Sequence, residues 1–254
     1  MCQLVKYKIV KVCKFFSFSF IRFLGKIRFM NISSLGTEKN PVKGIIFDMD
    51  GVLLDTESLC KRIWRIVAEN WGLKDPDPVY YKCVGQAVQD TLVLLQSYFE
   101  QQQKDFNARK WYDDTGELFH EVEQKEGLPK MKGADDCLSR LSKTDLLIAI
   151  ASSTRTPTVK RQLTAAGIYD YFKTFTCGDT VEHSKPHPEI YLKACQSLGL
   201  KPEECVAVED SPNGIRSAYS AGLKTIMIPD QIQPDKEILK MCSCVLKSLD
   251  ELEP

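Results

Sequence analysis

The sequence has no C-x-x-C pair, although it contains ten cysteines. Zinc sites place cysteines at such short spacings, and disulfide frameworks belong to short secreted chains, so the cysteine positions argue against both. Only Cys242 and Cys244 lie close together, and the others are scattered singly along the chain. We therefore expect reduced thiols, most of them buried, in a protein of the reducing cytoplasm.

The sequence also lacks an apolar run long enough to cross a membrane. Phe15 to Ile21 is an uncharged run of only seven residues, whereas a membrane-spanning helix needs about 20. Arg22 interrupts this apolar stretch, and no small-residue cleavage site follows it. A secretory signal peptide is therefore not indicated either.

Acidic residues are absent from residues 1–30, which hold seven basic residues. The rest of the chain carries 27 of the 34 basic residues and all 34 acidic ones, so it lacks the basic footprint of a nucleic-acid-binding protein. The basic segment can form an amphipathic helix on a membrane surface. Alternatively translation starts at Met30, which we favour because the recognisable domain begins near Val42. Residues 1–41 are then an extension that the fold does not use.

Strand signals are missing over residues 57–127, where apolar residues recur at helical spacing. After this segment, short apolar runs alternate with helical patterns, which is typical of parallel strands joined by right-handed crossovers. A chain of 254 residues can hold one large domain and a small insertion. The sequence predicts an α/β protein whose core comprises residues 42–56 and 128–254, with an inserted α-helical domain over residues 57–127.

Two carboxylates, Asp48 and Asp50, end an apolar run that begins at Gly44. A short run rich in Ile and Phe is typical of a buried parallel strand. Ligands of open α/β sheets bind beyond the carboxyl ends of the strands, so both carboxylates should face a ligand. Gly51 follows directly, and its freedom at positive φ lets the chain turn sharply beside the acids.

Other polar side chains follow later predicted strands. Ser152 and Ser153 follow one strand, and Glu209 and Asp210 follow another. Lys185 lies between these segments, in a proline-stiffened loop directly before a predicted helix. A cluster of carboxylates is the hard oxygen set that Mg²⁺ favours, and a fixed ammonium group neutralises phosphate oxygens. These residues are candidates for one phosphate and metal site.

The motif Asp48 to Glu57 resembles the first motif of the haloacid dehalogenase superfamily, in the branch with a helical cap domain. The string from His183 to Tyr191 is similar to the family's third motif, and the string from Val206 to Gly214 supplies the fourth part. This resemblance implies a Rossmann-like parallel sheet as the core and residues 57–127 as the cap. It also implies Mg²⁺ as the cofactor.

The resemblance implies a role for each residue of the site. Asp48 and Asp210 would ligate the metal directly, Asp50 would contribute its backbone carbonyl, and Glu209 would assist or ligate. A Ser or Thr hydroxyl at a strand end would bind the transferring phosphoryl group, and the family pattern selects Ser152 for this position. The implied phosphate-binding residues are Ser152, Ser153 and Lys185.

The implied reaction is hydrolysis of a phosphate ester through an aspartyl-phosphate. Asp48 would attack phosphorus, while Asp50 would protonate the leaving oxygen and later take a proton from water. Haloacid dehalogenation would not need Asp50, so its presence favours phosphoryl transfer. The sequence therefore predicts a monomeric, Mg²⁺-dependent phosphatase of a small phosphorylated metabolite of the sugar-phosphate type.

Alternatives within and outside the family stay open. A β-phosphoglucomutase would carry an Arg in a cap loop and a His in the first cap helix, whereas Val88 and Cys60 stand at those places. A non-catalytic phosphate-binding module is the other alternative, although binding alone would not need Asp50. Residues 84–90 of the cap are a candidate substrate-facing loop, and the alternative for them is a simple helix-entry turn.

Overall fold

Parallel strands and nine α-helices make up residues 29–84 and 88–254, the part of the chain that the computed structural model describes. The strands are β1 (Met30–Asn31), β2 (Gly44–Phe47), β3 (Leu147–Ser152), β4 (Thr174–Cys177), β5 (Cys205–Glu209), β6 (Lys224–Met227), β7 (Cys244–Val245) and β8 (Leu252–Glu253). The helices are α1 (Thr56–Asn70), α2 (Asp77–Cys83), α3 (Val88–Phe99), α4 (Ala108–Glu126), α5 (Ala134–Leu141), α6 (Thr156–Ala165), α7 (Glu189–Leu198), α8 (Pro212–Ser220) and α9 (Lys236–Met241).

The central sheet has six parallel strands in the order β4-β3-β2-β5-β6-β7. Phe47 at the end of β2 lies opposite Ile150 of β3 on one side and Val208 of β5 on the other. The residues that follow these three strands therefore emerge side by side at one edge of the sheet. The strand order and the helices between the strands confirm the predicted Rossmann-like α/β core.

Apolar residues of β2 pack on both faces of the sheet, as expected for a covered parallel strand. Ile45 and Phe47 belong to the core cluster on one face, and Ile46 belongs to the cluster on the other. This alternation follows from the period-two side-chain direction of a strand. Burial on both faces fixes the register of β2 and hence the position at which its acidic residues leave the sheet.

The helices α1 to α4 between β2 and α5 enclose an apolar cluster of their own. Trp64 of α1 makes edge contacts with Tyr80 of α2 and Trp111 of α4, with ring centroids 5.1 and 4.9 Å apart. Such edge-to-face contacts of buried rings hold the helices together. This cluster matches the expected helical insertion, and its exact boundaries stay a prediction.

The prolines at positions 76 and 78 suggest a turn, yet they lie at the start of helix α2. Proline is tolerated in a first turn because its missing N–H would have no intrahelical partner there. In the described residues, no helix has the length and apolarity to cross a membrane.

The segment Met30–Leu35 packs on the core, so the prediction that the fold begins at residue 42 is wrong. Strand β1 pairs in parallel with β8, and Ile32 is 0% exposed within the main core cluster. The sequence signal was too short to reveal a two-residue strand whose partner lies at the other end of the chain. The alternative of an amphipathic helix within residues 1–30 concerns a segment that, apart from residues 29 and 30, lies outside the described residues.

Replacing Ile32 by alanine should lower the free energy of unfolding by about 2–5 kcal/mol, because it removes a fully buried side chain. Urea denaturation followed by circular dichroism measures this loss. Exposed Glu38 provides a matched control, and Glu38→Ala should change stability by less than about 0.5 kcal/mol. Equal effects of the two substitutions would contradict the packing of this segment on the core.

Candidate active site

The carboxyl ends of three adjacent strands deliver polar side chains to one edge of the sheet. Asp48 and Asp50 follow β2, Ser152 ends β3, and Glu209 and Asp210 lie at the end of β5. The loop before α7 brings a lysine to the same place. The structure thus brings together all the residues that the sequence predicts for the site except Ser153, which is exposed, although the strands are far apart in the chain.

The ammonium group of Lys185 lies at the centre of this cluster. Its Nζ donates hydrogen bonds to Asp48 Oδ1 at 2.6 Å, to Glu209 Oε1 at 2.6 Å and to the backbone oxygen of Ala151 at 2.8 Å. The side chain of Lys185 is only 7% exposed. Burial by itself would lower the pKa of Lys185, but the charges of Asp48 and Glu209 raise it above its ordinary value. Lys185 therefore stays protonated and links the two acidic strands.

The carboxylates around Lys185 outnumber the positive charge available to them. Burial raises the pKa of Asp48 from 3.8 to about 7; Lys185 opposes this shift, and Glu209 adds to it. Burial and the charges of Glu209 and Asp48 likewise raise the pKa of Asp210 well above its ordinary value. Carboxylate oxygens of Asp48, Glu209 and Asp210 lie within 4.8 Å of one another. A hard oxygen set with unbalanced negative charge fits a divalent cation such as Mg²⁺.

Space for Asp210 depends on Gly51, the residue directly after the first acidic pair. Its φ is +76°, a conformation that side chains other than that of glycine rarely adopt. A Cβ atom at this position would lie 2.6 Å from Asp210 Oδ2. The sharp turn predicted from the sequence is therefore present, and the missing side chain also leaves room for the second acidic strand.

Glu209 is fully buried and is held by residues to which the sequence analysis gives no role. The hydroxyl of Tyr191 donates to Glu209 Oε1 at 2.7 Å, and Ser211 Oγ donates to Oε2 at 3.3 Å. A Cβ atom on Gly214 would lie 1.9 Å from the carboxyl carbon of Glu209. Tyr191 is the last residue of the motif that contains Lys185, and Gly214 is the last residue of the motif that contains Glu209. Only the packing of α7 and α8 shows that both contact the carboxylate of Glu209.

Asp50 is held by the loop that follows β3. Thr154 Oγ1 donates to Asp50 Oδ2 at 2.9 Å, and Ser152 Oγ lies 3.4 Å from the same oxygen. Burial raises the pKa of Asp50, and the hydrogen bond from Thr154 lowers it in part. Ser152 is buried and Ser153 is exposed. Thr154 is therefore the hydroxyl that fixes Asp50, a position that the family pattern did not select.

Gly178, directly after β4, contacts the backbone of the loop that follows β3. A Cβ atom at this position would lie 2.0 Å from the backbone oxygen of Ser153. The backbone N–H of Gly178 donates to the carbonyl of Thr154 at 3.0 Å. The close backbone approach fixes the segment that carries Ser152 to Thr154 against the next strand.

The loop of Lys185 is fastened to the start of α7. Glu189 accepts the backbone N–H groups of Glu182 at 2.9 Å and His183 at 3.0 Å, and its carboxylate lies 2.6 Å from Lys193 Nζ. These contacts occupy both carboxylate oxygens of Glu189. Glu189 thus orders the loop that carries Lys185. The sequence pattern gave no sign of this role.

Of the expected substrate-facing loop, residues 85–87 lie outside the described residues. Val84 at its start lines a cavity among the helices of the insertion. Val88 begins helix α3 and is 42% exposed. The expectation that this loop faces the substrate stays a prediction.

Comparison with known proteins identifies related sequences and folds. The model of the haloacid dehalogenase-like hydrolase family matches residues 45–228. The phosphorylated carbohydrates phosphatase of Thermotoga maritima is 29% identical, over 83% of this chain and 96% of its own. Hexitol phosphatase A of Escherichia coli is 30% identical, over 83% of this chain and 93% of its own. A haloacid dehalogenase family hydrolase of Deinococcus radiodurans, solved with phosphate and sodium, is 26% identical with a TM-score of 0.70 and covers 84% of this chain and 93% of its own.

The stability gained from Mg²⁺ should depend on pH. The raised pKa of Asp48, about 7 against 3.8, means that the folded, metal-free chain binds more protons than the unfolded chain between these values. Metal-free stability should therefore fall as pH rises through this interval. At about pH 8, where Asp48 is mostly deprotonated, saturating Mg²⁺ should raise Tm by about 5–10 °C, and by clearly less at about pH 5.

Thermal melts with EDTA or Mg²⁺ at the two pH values measure this difference. Asp210→Asn removes a carboxylate from the cluster and should abolish most of the Mg²⁺-dependent shift. A shift that is equal at both pH values, or equal in Asp210→Asn, would show that the metal binds elsewhere.

Proposed function

The protein belongs to the haloacid dehalogenase-like hydrolase family and is a phosphoric monoester hydrolase, and we propose that it hydrolyses small sugar-phosphate-type esters with Mg²⁺. The observation that carries the proposal is the contact of Lys185 with both Asp48 and Glu209 at 2.6 Å. This contact joins the motif after β2 to the motif after β5 in one buried, charged cleft. The related phosphatases of carbohydrates and hexitols support the substrate type.

Asp48 is the proposed nucleophile. Lys185 holds its Oδ1, which leaves Oδ2 as the oxygen that attacks phosphorus in line with the ester oxygen. The Asp48–phosphorus bond forms and the bond from phosphorus to the alcohol oxygen breaks, which gives an aspartyl-phosphate. The positive charge of Lys185 lowers the repulsion between this carboxylate and the approaching phosphate.

Asp50 is the proposed general acid and base. Its raised pKa favours a bound proton, and the hydroxyl of Thr154 orients the carboxyl group. In the first step Asp50 gives its proton to the leaving alcohol oxygen. In the second step it takes a proton from the water that attacks phosphorus, and the bond to Asp48 breaks. Inorganic phosphate is released and both side chains return to their starting states.

A divalent cation would be held by Asp48 and Asp210, with Glu209 close by. When bound, such a cation neutralises charge on the phosphoryl oxygens. The helices α1 to α4 are connected to this edge through the start of α1 and would exclude bulk water from the cleft. Because the family is one of hydrolases and its relatives are phosphatases, a non-catalytic phosphate-binding module is set aside.

Asp48→Asn should lower the release of phosphate from p-nitrophenyl phosphate by roughly 10³-fold or more, because the amide cannot form the covalent intermediate. A colorimetric phosphate assay with millimolar Mg²⁺ measures the loss. Asp145→Asn changes the same charge at an exposed position and should leave activity unaltered. Activity retained by Asp48→Asn would contradict covalent catalysis at this residue.

The mutase alternative predicts a different product. Incubated with β-glucose 1-phosphate and a glucose bisphosphate primer, the protein should release phosphate without forming glucose 6-phosphate. The physical reason is that Val88 and Cys60 offer no cation or general base for a second phosphate, and burial raises the pKa of the Cys60 thiol to about 12. Fast conversion to glucose 6-phosphate, measured by a coupled dehydrogenase assay, would favour the mutase.

A further inference from the structure

We propose that the site takes phosphate esters of uncharged, polyhydroxylated alcohols and rejects substrates whose alcohol part carries a second phosphate or a carboxylate. The proposal rests on the phosphatase function given above and specifies its substrate class. The feature that carries it is a cavity of about 290 Å³ among the helices of the insertion. The charge of the groups that line the cavity, and the distance of the cavity from Asp50, decide which leaving group fits.

The lining of the cavity includes two residues that lie near Asp50. Glu57 and Cys60, in the first turns of α1, line the cavity and are close enough to Asp50 to feel its charge. Asp50 gives its proton to the leaving oxygen in the proposed reaction. The alcohol must then lie on this side of the phosphoryl group, and the cavity is the space that receives it.

The described lining of the cavity offers an anionic group no positively charged partner. The described residues that line it are Glu57, Cys60, Ile63, Trp64, Tyr80, Cys83, Val84, Thr91, Tyr112, Thr115, Gly116 and Phe119. Among these described residues there is no Lys, Arg or His, and Glu57 is the only carboxylate. A second phosphate or a carboxylate placed here would be desolvated without a counter-charge, which is strongly unfavourable.

Further negative charge lies near Glu57. Asp230, three residues beyond the end of β6, is close enough to repel both Glu57 and Asp210. An anionic alcohol would therefore meet acidic side chains on the cap side and on the core side. Like charges placed together suppress the wrong partner, so this arrangement selects against polyanions.

Uncharged hydroxyl groups, in contrast, find suitable partners. Glu57 accepts a hydrogen bond from the Tyr80 hydroxyl, which also lies 3.0 Å from the backbone oxygen of Glu57. A carboxylate has further lone pairs for substrate hydroxyl groups. The rings of Trp64, Tyr112 and Phe119 offer apolar faces for the C–H groups of a carbon chain. A sugar or sugar alcohol presents both kinds of group.

Two pairs of substrates with the same carbon skeleton, one member of each pair carrying an additional anionic group, test the proposal. Fructose 1-phosphate is compared with fructose 1,6-bisphosphate, and glycerol 3-phosphate with 3-phosphoglycerate, all with millimolar Mg²⁺. We expect kcat/KM to be roughly 100-fold lower for the charged member of each pair, because the added charge meets acidic groups. p-Nitrophenyl phosphate reports whether the catalytic residues are intact.

Glu57→Gln tests the origin of the selectivity. The amide keeps the size of the side chain and removes its negative charge, so the preference for the ester without the additional anionic group should fall by about tenfold. The ratio of kcat/KM values cancels any loss of folded protein, which a merely structural role of Glu57 would produce. Exposed Glu100→Gln makes the same charge change outside the cavity and should leave the ratio unchanged.

The outcomes separate the two proposals. Equal kcat/KM values within each pair, with hydrolysis of p-nitrophenyl phosphate intact, would overturn the charge selection and leave the phosphatase function standing. A selectivity ratio that is the same in Glu57→Gln and in the unaltered protein would also overturn it. Failure to hydrolyse every ester, including p-nitrophenyl phosphate, would overturn the phosphatase function and this inference with it.

Discussion

The buried ammonium group of Lys185 is the interaction on which the rest of the site depends. It joins Asp48 and Glu209, which end neighbouring strands, and it lies 2.8 Å from the backbone of a third strand at Ala151. Without it, carboxylates that converge on one edge of the sheet would repel one another in surroundings that water cannot screen. The remaining excess of negative charge is what makes the edge suitable for a cation and a phosphate.

Glycines and neighbouring hydroxyl groups make this concentration of charge sterically possible. Gly51 and Gly214 leave room for the carboxyl groups of Asp210 and Glu209, where a single Cβ atom would overlap them. Tyr191 satisfies an oxygen of Glu209 from helix α7. A buried polar network is stabilising only when its members are satisfied, so these supporting residues matter as much as the charged ones.

The core and the inserted helices have different roles in the proposed mechanism. The sheet edge holds the groups that act on any phosphate ester, whereas the cavity among α1 to α4 contacts the part that differs between substrates. The two are joined at the start of α1, where Glu57 lies near Asp50. Differences in the cavity can therefore change the alcohol that is accepted without altering the residues around phosphorus.

Much of the fold could be predicted because buried parallel strands and amphipathic helices leave strong local patterns. The strands predicted before Ser152 and before Glu209 are present as β3 and β5, which end at these two residues. The pairing of β1 with β8 and the helix α2 were missed. The first depends on a partner more than 200 residues away, and the second on prolines that suit a turn and a helix start equally well.

Residue type and position after a strand are local properties, so the class of the fold and the acidic candidates for the site could be predicted from the chain alone. Packing was needed to show that Thr154 holds Asp50, that Tyr191 holds Glu209, and that the insertion encloses a cavity whose described lining has no basic residue. Those contacts join segments remote in the chain. Their geometry follows from how helices pack on the sheet, which no single segment encodes.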